Sequence, residues 1–459
     1  MIRLFRVFVP ASVVGLLISE ALLVLACYSL SLYLVGIDPA FYLFTLDNYW
    51  KLLVVTGLII LVMYFQDLYD ELRITSRILL VQQVSLAVGS ALLIMAFIGY
   101  LRPDLLLGRW MMIGGSAAVL VLLPLWRVFY WRYIISGLRT ERVLLLGNSS
   151  ILGEVVAEVV QRPEFGYSII GYLCEEEPCD LPINCLGPIQ DVRRVCEEHR
   201  PTRIVVGMAE RRNRLPVEEL LDIRFSGIPI EDAADTYERA LHRVCSRKIQ
   251  PSQLVFSSSL GPRHQAIVIQ RFYSLIIGII GIIVCSPLML FAAIAVKLSS
   301  PGTVLYRQRR VGMNGRIFTV YKFRSMHSDA EARTGAVWAK VGDPRITPVG
   351  RWLRKLRLDE LPQFWNVVKG DMAIVGPRPE RPEFVDLLSQ KIPYYRQRLA
   401  VKPGITGWAQ INHKYGDSEL DAIIKLEYDL YYIKNVGIAL DTYIIFHTIK
   451  VMLLRRGAQ

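Results

Sequence analysis

The sequence predicts a four-span helical membrane bundle, then an α/β Rossmann-like domain, then an α-rich domain with a re-entrant membrane helix. Three observations carry this. Four long apolar runs lie before residue 135, and short apolar runs alternate with helical ones between 142 and 251. A further apolar run, 272–297, is interrupted by Ser286-Pro287 and has cations at both ends. The corresponding domains are 1–135, 142–251 and 265–459.

The first four runs are Val7–Val35, Leu52–Phe65, Ile78–Leu101 and Trp110–Leu125. Each is near the roughly 20 residues that span a bilayer as helix, the second being short. The apolar excess of the chain, 53% apolar with a mean hydropathy of +0.35, is concentrated in a few long runs, of which these are four. The first run lacks a small-residue cleavage site and precedes further apolar runs, so it reads as an anchor rather than a signal peptide. Arg3 and Arg6 precede it, Arg73 and Arg77 sit between the second and third runs, and Arg127, Arg132, Arg139 and Arg142 follow the fourth. The other loops hold Lys51, Arg102 and Arg109, offset by Asp38, Asp47 and Asp104. The positive-inside tendency then puts both ends of the bundle in the cytoplasm.

A net charge of +12 raises the question of nucleic acid. The chain has no zinc-finger spacing, RNA-binding aromatic motif or basic recognition helix, so no nucleic-acid partner is expected. Membrane lipids and anionic diphosphates explain the excess better. Seven cysteines in a chain facing the cytoplasm imply reduced thiols. Cys174, Cys179, Cys185 and Cys196 near His199 match no zinc spacing and read as structural thiols.

In the middle domain, Val143–Gly147 reads as a buried strand followed by a helix over Leu152–Val160. Ser168–Leu173, Arg203–Val206 and Ile228–Ile230 read as further strands, separated by helices over Asp191–His199 and Val217–Arg224. This alternation implies a parallel sheet. Its first turn, Gly147-Asn148-Ser149-Ser150-Ile151-Leu152-Gly153, is a poor dinucleotide fingerprint, because serine replaces the second glycine and the third is displaced. A role in assembly or regulation is the preferred reading, with nucleotide binding left open.

The run from Phe272 to Val296 is long enough to span. Pro287 removes a backbone donor and bends or breaks the helix. Positive charge lies on both sides: Arg263 and Arg271 before, then Lys297, Arg307, Arg309 and Arg310. A helix that enters and leaves on one face satisfies both facts. Ser286 and Pro287 mark its break, and Arg271 its lipid side. A fifth full span would instead put everything beyond it outside the cytoplasm.

The densest motif follows. Asp359-Glu360-Leu361-Pro362-Gln363 leads into Lys369-Gly370-Asp371-Met372 and Gly376-Pro377-Arg378-Pro379. Paired acids among arginines suit a Mg²⁺-bound diphosphate: the acids hold the metal or attack phosphorus, and the arginines hold phosphate oxygens. Upstream, Arg351–Arg357 has the period of an amphipathic helix lying on the bilayer, from which Arg354 reaches the substrate. On such a helix the Asp359 and Glu360 side chains diverge by about 100°, which suits two different tasks.

These motifs resemble the bacterial sugar transferases, the monotopic phosphoglycosyl transferases. The likeness extends through Ser300-Pro301-Gly302, Tyr306-Arg307-Gln308, Tyr321-Lys322-Phe323-Arg324-Ser325-Met326, Thr347-Pro348-Val349-Gly350 and Lys402–Gln410, covering about the last two hundred residues. The end of the chain, Tyr428–Asn435 before an apolar helix from Leu440 to Leu454, looks like the exopolysaccharide-initiating subgroup. The resemblance implies that residues 265–459 are the catalytic domain, with Asp359 as nucleophile toward a UDP-sugar, releasing UMP, and Glu360 as the Mg²⁺ ligand. Undecaprenyl phosphate would then take the sugar phosphate. Lys322, Arg324, Arg354, Arg378 and Arg307 are the expected substrate contacts. Asp343 and Asp371 are weaker candidates. A bacterial inner-membrane location follows, with the catalytic domain on the cytoplasmic face and room for a homodimer. One departure is His413-Lys414, where many short members have an arginine.

Two rival readings make different demands on the sequence. A nucleotide-sugar dehydratase or epimerase would need an intact glycine fingerprint and a Tyr-x-x-x-Lys pair in the middle domain, and neither is present. A membrane scaffold or regulator with a degenerate transferase domain would be favoured by loss of Asp359 or Glu360. The sugar stays open among glucose, galactose and N-acetylated hexoses.

Overall fold

The computed structural model describes residues 2–34, 36, 38, 41–42, 48–70, 72, 76–135, 141–174, 181–208, 214–248, 261, 263–327, 343, 345–413 and 418–454. Arg73, Arg139, Cys179 and Lys414 lie outside the described residues. The chain divides into two compact units, Met1–Leu4 with Phe8–Thr236, and Phe5–Val7 with Tyr237–Gln459.

Two short strands, β1 (Ile2–Leu4) and β2 (Val7–Val9), precede four helices: α1 (Ala11–Leu34), α2 (Tyr49–Phe65), α3 (Arg77–Leu101) and α4 (Arg109–Phe129). The first, third and fourth are long and apolar enough to cross a membrane, and α2 at 17 residues is shorter. Each buries a stripe at helical spacing, such as Val24, Tyr28 and Leu32 on α1 and Val55, Ile59 and Met63 on α2. Leu22, Leu30, Leu86, Leu93, Val121 and Leu125 point outward. Helices apolar on both faces suit a lipid surround rather than water. Inside the bundle Glu20 is fully buried, pairing with Arg127 at 2.5 Å and accepting from the Tyr69 hydroxyl at 2.6 Å. Arg127 also donates to the Leu68 carbonyl at 2.8 Å, so both charges are satisfied.

The same unit holds a five-stranded parallel sheet of order β5-β4-β3-β6-β7. The strands are β3 (Glu141–Leu146), β4 (Tyr167–Cys174), β5 (Cys185–Pro188), β6 (Arg203–Val206) and β7 (Ile230–Asp232). Central β3 buries Val143 to Leu146 without alternation, as a strand covered on both faces does. Helices α5 (Ser150–Gln161), α6 (Val192–His199), α7 (Val217–Phe225) and α8 (Ala233–Leu241) follow their strands. Strand β5 was not expected, since Cys185-Leu-Gly-Pro is short and ends in residues that disfavour strands.

The second unit begins with α9 (His264–Ser299), 36 residues long. Helical pattern continues across Ser286-Pro287, so the expected interruption leaves the helix assignment unbroken. Pro287 cannot donate to the Ile283 carbonyl, and the Ser286 hydroxyl takes that place at 2.8 Å. An antiparallel hairpin follows, β8 (Leu305–Val311) with β9 (Ile317–Phe323), paired from Leu305↔Phe323 to Val311↔Ile317. Next come α10 (Pro348–Lys355), α11 (Gln363–Lys369), β10 (Ala373–Val375), α12 (Pro382–Lys391), β11 (Gly404–Thr406), α13 (Trp408–Asn412), α14 (Glu419–Asn435) and α15 (Ile438–Leu453). Strands β10 and β11 pair in parallel. The unit is thus helix-rich, with two small sheets that the sequence reading did not include. Its core gathers Val367, Val375, Trp408, Leu426 and Tyr431. Arg6 belongs here: it donates to the carbonyls of Asn435 and Val436 at 2.9 and 2.5 Å, closing the C-terminus of α14.

Candidate active site

Four backbone segments converge on the carboxylate pair. Thr347 caps α10 by accepting from Gly350 N–H at 2.9 Å, and Pro348 opens the helix. The helix ends at Lys355 rather than at Arg357, and Arg357 adopts a left-handed φ of 54°. The chain then turns through a 3-10 segment, Leu358–Glu360, and enters α11. Asp359 and Glu360 therefore stand on a 3-10 turn, not on the expected α-helix, and diverge by about 120° rather than about 100°. Both are buried, at 8% and 9% exposure.

Cations reach Glu360 from three sides. Lys322 Nζ, on β9, donates to Oε1 at 2.9 Å, and Arg378 does so at 3.1 Å. Arg357 approaches Oε2 at 3.9 Å. Burial opposes ionisation of Glu360, but Lys322, Arg378 and Arg357 outweigh it and hold the carboxyl well below its ordinary range. Asp359 is shifted the other way. Burial raises its pKa above 3.8, the Glu360 charge adds to this, and Lys322, Arg354 and Arg378 oppose it. Two adjacent carboxylates are thus driven apart in pKa, one clamped as an anion and the other more basic than usual.

The substrate contacts expected from sequence separate in the same way. Lys322 and Arg378 reach the pair. Arg354 bonds Ser325 Oγ at 2.9 Å and acts on Asp359 through its charge. Arg324 differs from expectation: it is buried and bonds the Ser300 and Pro301 carbonyls at 2.6 and 2.9 Å, closing the end of α9. Arg307 is exposed on β8 with its guanidinium 5.9 Å from the Tyr321 ring centroid. Ser286 and Pro287 lie on the exposed middle of α9, and Arg271 near its start, 4.0 Å from the Met313 sulfur. Asp343 bonds Arg345 in a local turn, and Asp371 pairs with Lys369 at 3.1 Å, so both have structural partners.

The sequence reading missed the residues that position these cations. Asn366, fully buried on α11, accepts from Tyr321 N–H at 3.1 Å and donates to the Thr319 carbonyl at 2.7 Å. Its amide thus stands in for a neighbouring strand and holds β9 in register with the turn bearing Glu360. A polar residue amid Phe364-Trp365-Asn366-Val367-Val368 was the available signal. The Arg378 turn is set by close backbone contact. A Cβ on Gly376 would lie 2.3 Å from the Lys402 carbonyl oxygen, and Gly376 N–H donates to Thr406 at 2.9 Å. This explains the glycines in Gly376-Pro377-Arg378-Pro379 and Lys402-Pro403-Gly404.

A magnesium ion at this site would have Glu360 Oε2 as its protein donor. Among the described residues no group of three acids, histidines or cysteines gathers. Magnesium usually takes one or two carboxylates and completes its shell with phosphate and water oxygens. Glu360 uses Oε1 for Lys322 and Arg378, and Oε2 has Arg357 only at the edge of contact.

Residues 265–455 match the family described as Bacterial sugar transferase. The chain is 45% identical over 232 residues to the UDP-N-acetylgalactosamine-undecaprenyl-phosphate N-acetylgalactosaminephosphotransferase of Aeromonas hydrophila, covering 50% of this chain and 54% of that protein. It thus spans about half the length of that relative. Two proteins named UDP-glucose:undecaprenyl-phosphate glucose-1-phosphate transferase are each 32% identical. The one from Xanthomonas campestris pv. campestris aligns over 74% of this chain and 72% of its own. That of Escherichia coli (strain K12) aligns over 67% of each. By the match over residues 265–455 and these long alignments, the chain belongs to the bacterial sugar transferase family.

Proposed function

We propose that the protein transfers a hexose-1-phosphate from a UDP-sugar to undecaprenyl phosphate, initiating exopolysaccharide or O-antigen synthesis at the cytoplasmic face of the inner membrane. The observation that carries this is the divided carboxylate pair, in a family whose relatives bear such names. Asp359 attacks the sugar-linked phosphorus, forming an Asp359 O–P bond as the bond to UMP breaks and its electron pair leaves with UMP. An undecaprenyl phosphate oxygen then attacks the same phosphorus and frees Asp359. In its ionised form the carboxylate attacks without a general base, and the charges of Lys322, Arg354 and Arg378 favour that form against burial. Lys322 and Arg378 hold Glu360 and lie where phosphate oxygens would arrive. Mg²⁺, held by Glu360 with the diphosphate, would neutralise charge on the leaving UMP. Loss of Asp359 or Glu360 would favour the scaffold reading, and both are present.

Re-entrance of α9 belongs to this proposal. A straight 36-residue helix would be about 54 Å long, well beyond the roughly 30 Å hydrocarbon core. Its first arm meets α11: a Cβ on Gly278 or Gly281 would touch Val367 at 3.1 Å or Phe364 at 2.8 Å. Its second arm, at Ala292 and Val296, clusters with Leu353, Leu358 and Leu361. Both arms thus meet the segment 353–367, and Ile283, Val284, Leu290 and Phe291 between them are exposed and apolar. Periplasm-only labelling of a cysteine near Arg316 would overturn this topology. For the middle domain, the order β5-β4-β3-β6-β7 supports the Rossmann-like reading.

The test incubates membranes carrying the protein with undecaprenyl phosphate, Mg²⁺ and UDP-glucose, UDP-galactose or UDP-N-acetylhexosamines, following UMP. Release with one donor by wild type, and none by Asp359→Ala, is expected. Equal release by the variant would remove Asp359 as nucleophile, and no release with any donor would remove the transfer reading for these sugars.

A further inference from the structure

The Arg378 turn is unusual in how it is held. Pro377 and Pro379 supply no N–H, so the turn is fixed through its carbonyls. The Pro377 carbonyl accepts from Gly404 N–H at 3.0 Å, and that of Glu380 from Val311 N–H at 2.9 Å. The Pro379 carbonyl accepts from the Arg310 guanidinium at 2.9 Å. The carbonyl of Arg378 itself accepts from Arg398 at 3.0 Å.

Arg398 is buried, and its guanidinium is fully committed. Nε bonds Asp429 Oδ2 at 3.0 Å, one terminal nitrogen bonds the Tyr395 hydroxyl at 2.7 Å, and the other is shared by Asp429 at 2.8 Å and the Arg378 carbonyl. Asp429, on α14, is also buried. The planar fork thus ties the core helix α14 to the one backbone oxygen directly behind a cation facing Glu360. A stabilising ion pair alone would not need this third bond.

We propose that Arg398, oriented by Asp429 and Tyr395, is a positioning residue that fixes the Arg378 carbonyl, aims the Arg378 guanidinium at Glu360, and affects turnover only through Arg378. Its rate readout rests on the transfer reading above, and its structural readout does not. Lysine at 398 keeps the charge against Asp429, but its three donors sit on one nitrogen and cannot reproduce four bonds spread over the three nitrogens of the planar fork.

Full-length wild type, Arg398→Lys, Arg378→Ala and the double variant are purified in nanodiscs. Hydrogen exchange in a peptide covering 376–381 is expected to accelerate in Arg398→Lys while peptides from α3 and β3 stay unchanged. UMP release should fall about tenfold or more in Arg398→Lys, yet the same change should cost less than about twofold once Arg378 is alanine, the non-additivity of residues acting in series. Unchanged exchange at 376–381, or equal fold-losses in both backgrounds, overturns the proposal. If Arg398→Lys does not fold, Tyr395→Phe removes one anchor and leaves the ion pair; it should accelerate exchange at 376–381 to a smaller degree, and no acceleration overturns the proposal. Absence of UMP release from wild type refutes the transfer reading, and the exchange result still decides the brace.

Discussion

Replacing Asn366 by alanine removes two bonds to β9, at 2.7 and 3.1 Å, from a site with no solvent access. The Tyr321 N–H and Thr319 carbonyl would each lose a partner, at about 1–3 kcal/mol per group, so the loss is roughly 2–6 kcal/mol. For a unit of this size that corresponds to a melting temperature lower by roughly 4–24 °C. Intrinsic-fluorescence melting in detergent measures it. Activity should fall further than stability, because β9 carries Lys322 and a shift of about 1 Å at a reacting site costs on the order of 100-fold. Asn366→Asp sharpens the test. It keeps an acceptor for Tyr321 but sets a second oxygen against the Thr319 carbonyl. Protonation would restore a donor there, so this variant should recover stability relative to wild type as pH falls. An alanine variant melting within about 1 °C of wild type, with normal UMP release, would refute the reasoning.

The acid limb of the UMP-release profile should report Asp359. Its pKa is raised in the folded protein, so the ionised nucleophile is lost at a higher pH than an ordinary carboxylate would allow; Lys322→Met removes the strongest opposing cation and should move the limb toward neutral. An unmoved limb in the pH–rate profile would separate Lys322 from Asp359. In the bundle, Arg127→Leu strands a buried Glu20 and should cost about 3–5 kcal/mol, whereas Glu20→Leu/Arg127→Leu should regain most of it in thermal melts.

What could be read from sequence follows the strength of each local signal. The apolar runs became α1 to α4 within a few residues, because length and hydropathy alone specify such helices. The central strands β3, β4 and β6 were legible from their apolar runs, whereas β5, with a Gly-Pro end, was not. The β8–β9 hairpin was missed because its residues were read as motifs rather than as a period-two pattern. At the site, Asp359, Glu360, Lys322 and Arg378 could be named, since their chemistry is explicit. Arg324 could not be told from a phosphate-binding arginine, because its fate is decided by carbonyls at the end of α9, near in space and 24 residues away in sequence. Arg398 and Asn366 act on backbone atoms, which sequence does not reveal.

The bond from Arg6 to the Asn435 carbonyl spans 429 residues. At ribosomal speeds of about 5–20 residues per second, Arg6 emerges roughly 20–90 s before its acceptor exists. The guanidinium must therefore wait through synthesis of nearly the whole chain. The last turn of α14 is consequently a late checkpoint in biogenesis, reached only by a chain whose first residues stayed free. An Arg6 substitution should be felt most in the yield of newly made, protease-resistant protein.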